Sequence, residues 1–103
     1  CAKMGTYRLS EEAKDDLIGI HQYGVRKFGE ARADAYFWQI IERFDVLGET
    51  PLLYQEVPEI REGYRRSVCG VHSIYYRLDG DNVEIMAILR SQDAALRFGR
   101  SKP

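Results

Sequence analysis

Two glycine-led turns within residues 60–90 constrain the fold of this chain more than any other feature. Gly70-Val71 and Gly80-Asp81 each suit a two-residue β-hairpin turn, whose first residue adopts a positive φ. The stretches beside these turns are rich in Tyr, Ile and Val, which favour strands. The segment therefore predicts a three-stranded antiparallel meander.

The turns also predict the register of the three strands. Around the first turn the predicted cross-strand pairs are Cys69–His72, Ser67–Ile74, Arg66–Tyr75 and Tyr64–Arg77. Around the second turn they are Leu78–Val83, Arg77–Glu84, Tyr76–Ile85, Tyr75–Met86 and Ile74–Ala87. Because side chains alternate between the faces of a sheet, this register predicts one apolar face that packs on helices. Its members are Ile74, Tyr76, Leu78, Val83, Ile85, Ala87 and Leu89, with His72 at its end.

The first half of the chain predicts a short strand and a pair of helices. Thr6–Leu9 favours a strand, and Ser10 is a good N-cap for an amphipathic helix that ends at Gly29. A second helix is predicted to begin at Glu30 and to end at Gly48, before a loop over residues 49–60. Because the break between them is so short, the two helices predict an antiparallel αα-hairpin.

These elements together predict an α+β fold in two layers, with the αα-hairpin packed on a mainly antiparallel sheet. The strand at 83–89 is apolar on both faces, so it is expected at the centre of the sheet with the N-terminal strand beside it. Ser91 suits the cap of a short helix that ends near Gly99. One domain is expected over residues 1–103, with 1–4 a cloning remnant or disordered and 100–103 a loose tail.

Composition excludes several classes of protein. The chain has no apolar run of about 18 residues and no signal-peptide pattern, so a cytoplasmic protein without a membrane span is expected. Cys1 and Cys69 do not make a disulfide framework, and no Cys/His spacing suits zinc. Phosphate-loop and nucleophile-elbow motifs are also missing from the sequence. We therefore expect no metal and no cofactor.

Charge is distributed unevenly along the chain. The net charge of −1 by itself argues against a general nucleic-acid binder, and no direct sequence-specific binding of nucleic acid is expected. Residues 1–58 carry 7 Lys and Arg against 10 Asp and Glu, whereas residues 59–103 carry 8 against 6. The meander and the tail therefore form the more positive half, which we expect to meet a partner.

The predicted outward face of the meander alternates Tyr64, Arg66, Tyr75 and Arg77. This pattern is typical of a contact surface, because arginine supplies charge and tyrosine supplies a flat ring. It is equally typical of a solvated sheet face on which Arg77 pairs with Glu84. A ribonuclease that stabilises phosphate through arginine is conceivable on such a face, although the residues do not require one.

Trp38 lies on a charged side of the second helix, away from the apolar stripe. An exposed tryptophan is a candidate anchor for a partner. The alternative is that the loop at 49–60 or the C-terminal tail covers it. Arg90 follows the last strand and either contacts a ligand or is solvated.

Several segments, in this order, resemble one family. They are residues 7–17 (YRLSEEAKDDL), 26–29 (RKFG), 60–66 (IREGYRR), 70–77 (GVHSIYYR) and 83–89 (VEIMAIL). Their order and spacing are similar to the ParE branch of the ParE/RelE superfamily of bacterial toxin–antitoxin toxins. The resemblance covers about residues 5–93 and implies a RelE/ParE-like fold.

The resemblance also implies a function. ParE toxins poison DNA gyrase and block replication, and a ParD-like antitoxin neutralises them by docking along the hairpin and the sheet in a hetero-oligomer. On this reading the gyrase contacts are expected at Arg66, Tyr75 and Arg77, with Arg61, Arg65, Tyr64 and Arg90 as further candidates. Trp38 and Ile41 are the candidates for antitoxin contact.

The end of the chain departs from the family pattern. The family often has His after the last strand, whereas this chain reads Arg90-Ser91-Gln92-Asp93. The ribosome-dependent ribonucleases of the superfamily use a C-terminal Tyr or His, and neither residue follows Arg90. The gyrase poison is therefore favoured over two alternatives, a RelE-like mRNA endonuclease and a non-toxic interaction module.

Overall fold

The computed structural model describes residues 6–58, 60–80 and 82–90. It contains four strands and two helices in this part of the chain, in the order β1, α1, α2, β2, β3, β4. Their bounds are β1 Thr6–Leu9, α1 Glu11–Phe28, α2 Glu30–Glu49, β2 Tyr64–Cys69, β3 His72–Asp79 and β4 Asn82–Leu89. The predicted α+β fold is confirmed. The predicted helix from Ser91, the loose tail and residues 1–4 lie outside the described residues.

The two helices form the predicted hairpin around a single glycine. Ser10 caps α1 by accepting a hydrogen bond from the Ala13 N–H at 3.1 Å. Gly29 joins α1 to α2 with a φ of 93°, a conformation that favours glycine. Gly24 brings the helices close together, because a Cβ at this position would lie 3.1 Å from the Cβ of Ala33. Neither helix is long and apolar enough to cross a membrane.

The sheet has the strand order β1-β4-β3-β2. β1 pairs with β4 in parallel, and the other two pairings are antiparallel. The prediction that the N-terminal strand lies beside a central β4 is therefore confirmed. The first and the last of the described strands thus lie side by side, with β1 at one edge of the sheet and β2 at the other.

The predicted register is right around the first turn and partly wrong around the second. Cys69 lies opposite His72, and Tyr64 lies opposite Arg77, as predicted. Beyond the pair of Tyr76 with Ile85, however, a β-bulge shifts the register by one residue. Tyr75 consequently lies opposite Ala87 instead of Met86, and Ile74 lies opposite Ile88 instead of Ala87. The bulge places one extra residue in β4, which the turn geometry alone could not reveal.

The bulge divides the apolar residues of the sheet between two clusters. Ile74, Tyr76, Val83 and Ile85 pack against the helices in the main core, as predicted. Ala87 and Leu89 belong instead to a second cluster on the opposite face, so their predicted assignment to the helix side was wrong. Because one inserted residue reverses the alternation that follows it, Ile88 takes their place in the main core. Leu78 is half exposed at the end of the sheet.

Candidate partner-binding site

The side of the sheet away from the helices carries charged residues on all four strands. We call this side the arginine face and define it by Arg8, Arg66 and Arg77. A nitrogen of Arg77 donates a hydrogen bond to Glu84 at 2.6 Å, and a nitrogen of Arg8 lies 3.6 Å from the same carboxylate. A hydrogen bond to Asp79 and the charge of Glu84 raise the pKa of Arg8. The ion pairs therefore neutralise one end of the face.

The two tyrosines that we predicted on this face are buried. Tyr75 is 1% exposed and Tyr64 is 8% exposed, so the expected alternating surface of exposed rings and arginines is wrong. Val57 and Ile60, from the segment that precedes β2, pack over them in the second cluster. That segment has no regular apolar period, so its covering role could not be predicted. Both tyrosines support the face from within.

The remaining arginine candidates differ in their surroundings. The guanidinium of Arg61 stands 5.9 Å from the centre of the Tyr64 ring. Arg65 lies on the helix side of β2, where it donates to the Tyr54 carbonyl at 2.6 Å and to Glu56 at 3.2 Å. Arg66 is exposed, and no carboxylate among the described residues pairs with it. Arg66 is thus the candidate best able to pair with an acidic group of a partner.

A groove of about 1180 Å³ lies between the two helices and the end of the sheet. Its lining is mainly apolar and aromatic, with charged side chains from both helices and from the end of β4. Representative lining residues are Gly19, Tyr23, Arg32, Tyr36, Val71 and Arg90. Arg90 is exposed beside the groove, and this is the one target candidate that the groove includes. A groove of this size and character suits a peptide segment of a partner.

Tyr36 fixes the β2–β3 turn at one end of the groove. Its hydroxyl lies 3.0 Å from the Cys69 carbonyl and 2.7 Å from Nδ1 of His72, and it accepts from the Val71 N–H at 3.3 Å. Burial raises the pKa of Tyr36, with smaller opposing effects from its hydrogen bonds. The hydroxyl therefore stays protonated at neutral pH and serves as a structural clamp.

Sequence reasoning did not identify the groove or the Tyr36 clamp. One signal was present, because α1 carries two interior glycines, which cost helix stability unless packing requires them. A Cβ on Gly19 would meet no atom of the described residues within 4 Å, so this glycine leaves space in the groove that they form. The two glycines thus serve different ends, since Gly24 lets α1 approach α2 closely and Gly19 leaves room in the groove.

The two candidates for antitoxin contact lie on α2. Trp38 is 58% exposed and contacts the ring of Phe37 edge-on, with ring centroids 5.3 Å apart. The described part of the loop at 49–60 therefore does not cover Trp38, and the C-terminal tail lies outside the described residues. Ile41 is partly buried and packs against the main core. Trp38 therefore presents an exposed ring that packs on Phe37, whereas only part of the Ile41 side chain is accessible to a partner.

No metal site is formed by the part of the chain that the structure describes, since no three His, Cys, Asp or Glu residues cluster there. His21 pairs with Asp34 at 2.7 Å, and His72 contacts Tyr36. Cys69 is a buried free thiol. These groups have structural partners within the fold.

Comparison with known proteins points to one family. Residues 7–95 match the family model described as "ParE toxin of type II toxin-antitoxin system, parDE". A protein named Toxin ParE1 from Caulobacter vibrioides is 35% identical over 97 residues, which cover 93% of this chain and 100% of the relative. A Toxin ParE1 from Mycobacterium tuberculosis is 26% identical over 84% of this chain and 89% of the relative.

Solved structures agree on the fold. A chain of the "Chromosomal ParDE TA system from P. aeruginosa" matches with a TM-score of 0.75 and 22% identity, over 86% of this chain and 98% of that chain. A chain of the RelBE2 toxin–antitoxin complex from Mycobacterium tuberculosis matches with a TM-score of 0.57 and 22% identity, over 84% and 96% of the two chains. The predicted RelE/ParE-like fold is confirmed.

Proposed function

The chain belongs to the ParE toxin family of type II toxin–antitoxin systems, and we propose that it blocks replication by inhibiting DNA gyrase in the cytoplasm. We further propose that a ParD-like antitoxin neutralises it in a hetero-oligomeric complex. Arg66 is the leading target contact, and Arg61, Arg77 and Arg90 are further candidates, of which Arg90 lies at the groove. Tyr64, Tyr75 and Arg65 act by holding the face in shape.

The observation that carries the gyrase proposal is the set of partners on the arginine face. RNA cleavage would need an exposed proton donor or acceptor beside the phosphate. Glu84 is already bonded to Arg77, and the Tyr75 ring is buried, so neither residue is available for that role. Arg66 offers an exposed charge on the same face. This arrangement suits the docking of a protein or a protein–DNA complex better than the cleavage of RNA.

The groove supports an antitoxin as the second partner. Its apolar and aromatic lining matches the apolar stripe of a helix or an extended segment, and Arg32 and Arg90 can meet acidic residues that flank such a stripe. Trp38 adds an exposed ring on α2 for a further contact, with Ile41 beside it. The antitoxin then covers the helical layer of the toxin.

Controlled expression in bacteria tests the gyrase proposal. Induction of the chain is expected to give filamentous cells with DNA damage, and purified gyrase is expected to accumulate cleaved DNA in its presence. A gyrase variant that resists other gyrase poisons is the control, because less cleaved DNA with this variant would show that the chain acts through gyrase. Rapid arrest of translation with cleaved mRNA would contradict the proposal and favour the endonuclease. Unimpaired growth would favour the non-toxic module.

Filling the groove tests the antitoxin proposal. Gly19→Phe places a ring in open space and replaces a helix-interior glycine, so we expect antitoxin affinity to fall at least about tenfold while Tm does not drop. Gly19→Ala adds only a methyl group and is the matched control, with an expected loss below about threefold. Trp38→Ala is expected to weaken binding by a further factor of about ten. Unchanged affinity in Gly19→Phe would exclude the groove.

A further inference from the structure

The outer edge of β2 is paired over only part of its length. Residues 55–57 run beside it, with the Val57 N–H bonded to the Tyr64 carbonyl at 2.8 Å and the Arg66 N–H bonded to the Gln55 carbonyl at 3.2 Å. These bonds show that the backbone N–H and carbonyl groups of Tyr64 and Arg66 point away from β3, toward the open edge of the sheet. Since the orientation alternates along an antiparallel strand, Val68 turns its backbone groups outward as well.

The covering segment leaves the edge before it reaches Val68. The Tyr54 carbonyl accepts from Arg65 at 2.6 Å, and the Leu53 N–H bonds to the Thr50 carbonyl at 3.1 Å. The Leu53 N–H thus belongs to a turn with Thr50, and no further backbone bond to β2 is formed by this segment in the part of the chain that the structure describes. Among the described residues, the Arg66 carbonyl and the Val68 N–H consequently have no backbone partner. The Val68 carbonyl accepts from Arg43 at 2.7 Å.

The gap beside this open edge is a cavity of about 450 Å³. Its lining residues are Leu53, Tyr54, Gln55, Val57, Arg66 and Val68. Leu53 is 65% exposed and Val68 is 58% exposed, so apolar side chains flank the open backbone groups. Arg66 adds a positive charge that no described carboxylate neutralises. Native sheets usually protect such an edge, and here the protection stops at Arg66, three residues before β2 ends at Cys69.

We propose that the open edge of β2 binds an extended segment of the toxin's protein target by strand addition. The Arg66 carbonyl and the Val68 N–H flank Ser67, so a single residue of a parallel strand can bond to both of them. An acidic side chain of the segment pairs with Arg66, and an apolar side chain packs between Leu53 and Val68. This inference rests on the proposed function and identifies where the target first docks.

Position distinguishes this occupant from the antitoxin. The Arg66 and Val68 side chains lie on the arginine face, because their partners in the register are Tyr75 and Ser73 of β3 and Tyr75 belongs to the cluster on that face. The groove, in contrast, opens between the two helices. An acidic segment is therefore drawn to the edge by the same charge that makes Arg66 the leading target contact.

Val68→Pro tests the proposal directly. Proline removes the outward N–H and no bond of the β2–β3 ladder, as is tolerated at the edges of sheets. We expect the inducer level that arrests growth to rise at least about tenfold, with Tm and antitoxin affinity close to those of the wild type. Val68→Ala keeps the N–H and trims the side chain, so we expect a smaller rise of about threefold. Equal effects of the two variants would overturn the strand-addition geometry.

Arg66→Glu provides a second variant in case proline disturbs folding. Charge reversal is expected to raise the arresting inducer level at least about tenfold, whereas Arg66→Lys should recover most of the effect. Loss of antitoxin affinity in Val68→Pro and Arg66→Glu would overturn the proposal, because the edge would then belong to the antitoxin. If the wild-type chain arrests translation, gyrase is not the target. The same variants would still show whether the target binds at the open edge of β2. A wild-type chain that leaves growth unimpaired overturns both proposals.

Discussion

The ring of Tyr36 lies against Gly70, such that a Cβ on Gly70 would stand 2.6 Å from the tyrosine ring and hydroxyl. Gly70 also has a φ of 64°, where side chains are strained. Both constraints meet at the turn that joins β2 to β3. The clamp therefore requires glycine for two separate reasons, conformation and space.

Gly70→Ala is expected to lower the free energy of unfolding by about 2–4 kcal/mol, since the positive φ alone costs about 1–2 kcal/mol and Tyr36 must also move. Gly80→Ala is the matched control. Its φ is 65°, and no atom in the described part of the chain lies within 4 Å of the added Cβ, so only the conformational cost of about 1–2 kcal/mol is expected. Urea unfolding of both variants measures the difference. Equal losses of unfolding free energy in the two variants would mean that Tyr36 moves away from the added methyl group without destabilising the protein.

Ser10 links the start of α1 to β4, and its removal should destabilise both. Its hydroxyl accepts from the Ala13 N–H and donates to the Met86 carbonyl, each at 3.1 Å. Ser10→Ala is expected to cost about 1–2 kcal/mol, as for other lost N-caps. Ser10→Thr keeps the hydroxyl and should stay within about 0.5 kcal/mol of the wild type. Thermal unfolding of the two variants checks this, and a neutral Ser10→Ala would contradict the double role.

Tyr76 makes stability depend on alkaline pH. Burial raises the pKa of Tyr76 to about 12, from 10.0 in the unfolded chain, and its hydroxyl donates to the Pro51 carbonyl at 2.8 Å. Because the folded state holds this proton more tightly, its contribution is complete below pH 10 and declines as the pH rises from 10 to 12. Tyr76→Phe should cost about 1–2 kcal/mol at pH 8, through the lost hydrogen bond.

Urea unfolding of the wild type and Tyr76→Phe at pH 8, 10 and 11 measures this effect. The stability difference between the two proteins should narrow above pH 10, since only the wild type carries the Tyr76 proton. Tyr36 also has a raised pKa, so both proteins should still lose some stability over this range. A difference that stays constant from pH 8 to pH 11 would contradict the assignment to Tyr76.

Arg66 and Arg77 should differ in their contribution to toxicity. Arg77 already donates to Glu84 at 2.6 Å, whereas no described carboxylate pairs with Arg66. We expect Arg66→Ala to raise the inducer level that arrests growth at least about tenfold, and Arg77→Ala to raise it less than about threefold. Protein level and Tm should be measured alongside. A larger effect of Arg77→Ala would place the target at the other end of the face.

The features that could be predicted from the sequence are those that neighbouring residues determine, namely helix ends and turns. Ser10 and Gly29 fixed the ends of α1, and the two glycine-led turns gave the register as far as Tyr76. The register beyond that point could not be predicted, because β4 is apolar at nearly every position and so does not distinguish a regular strand from a bulged one. Tyr75 lies on the predicted face but is buried, and its burial could not be predicted because the residues that cover it come from a loop without periodicity.

The candidate site was less predictable than the fold. The turn alone was enough to assign Arg66 to the outward face of the sheet. The position of Trp38 in the helix placed it on the side of α2 away from the apolar stripe, where the structure shows it exposed. The groove depends on how two helices and a sheet meet, and the open edge of β2 depends on where a loop departs. Both are properties of tertiary geometry that no local pattern encodes.

The parallel pairing of β1 with β4 has a consequence for synthesis of the toxin. β4 forms the centre of the sheet yet is the last of the described strands to leave the ribosome, so β1 must wait for a partner about 75 residues away. Until then the core side of the hairpin has no complete sheet to cover it. The hairpin can therefore bury its apolar side fully only after residues 82–89 have been synthesised, so the core of this fold is completed late in the synthesis of the chain.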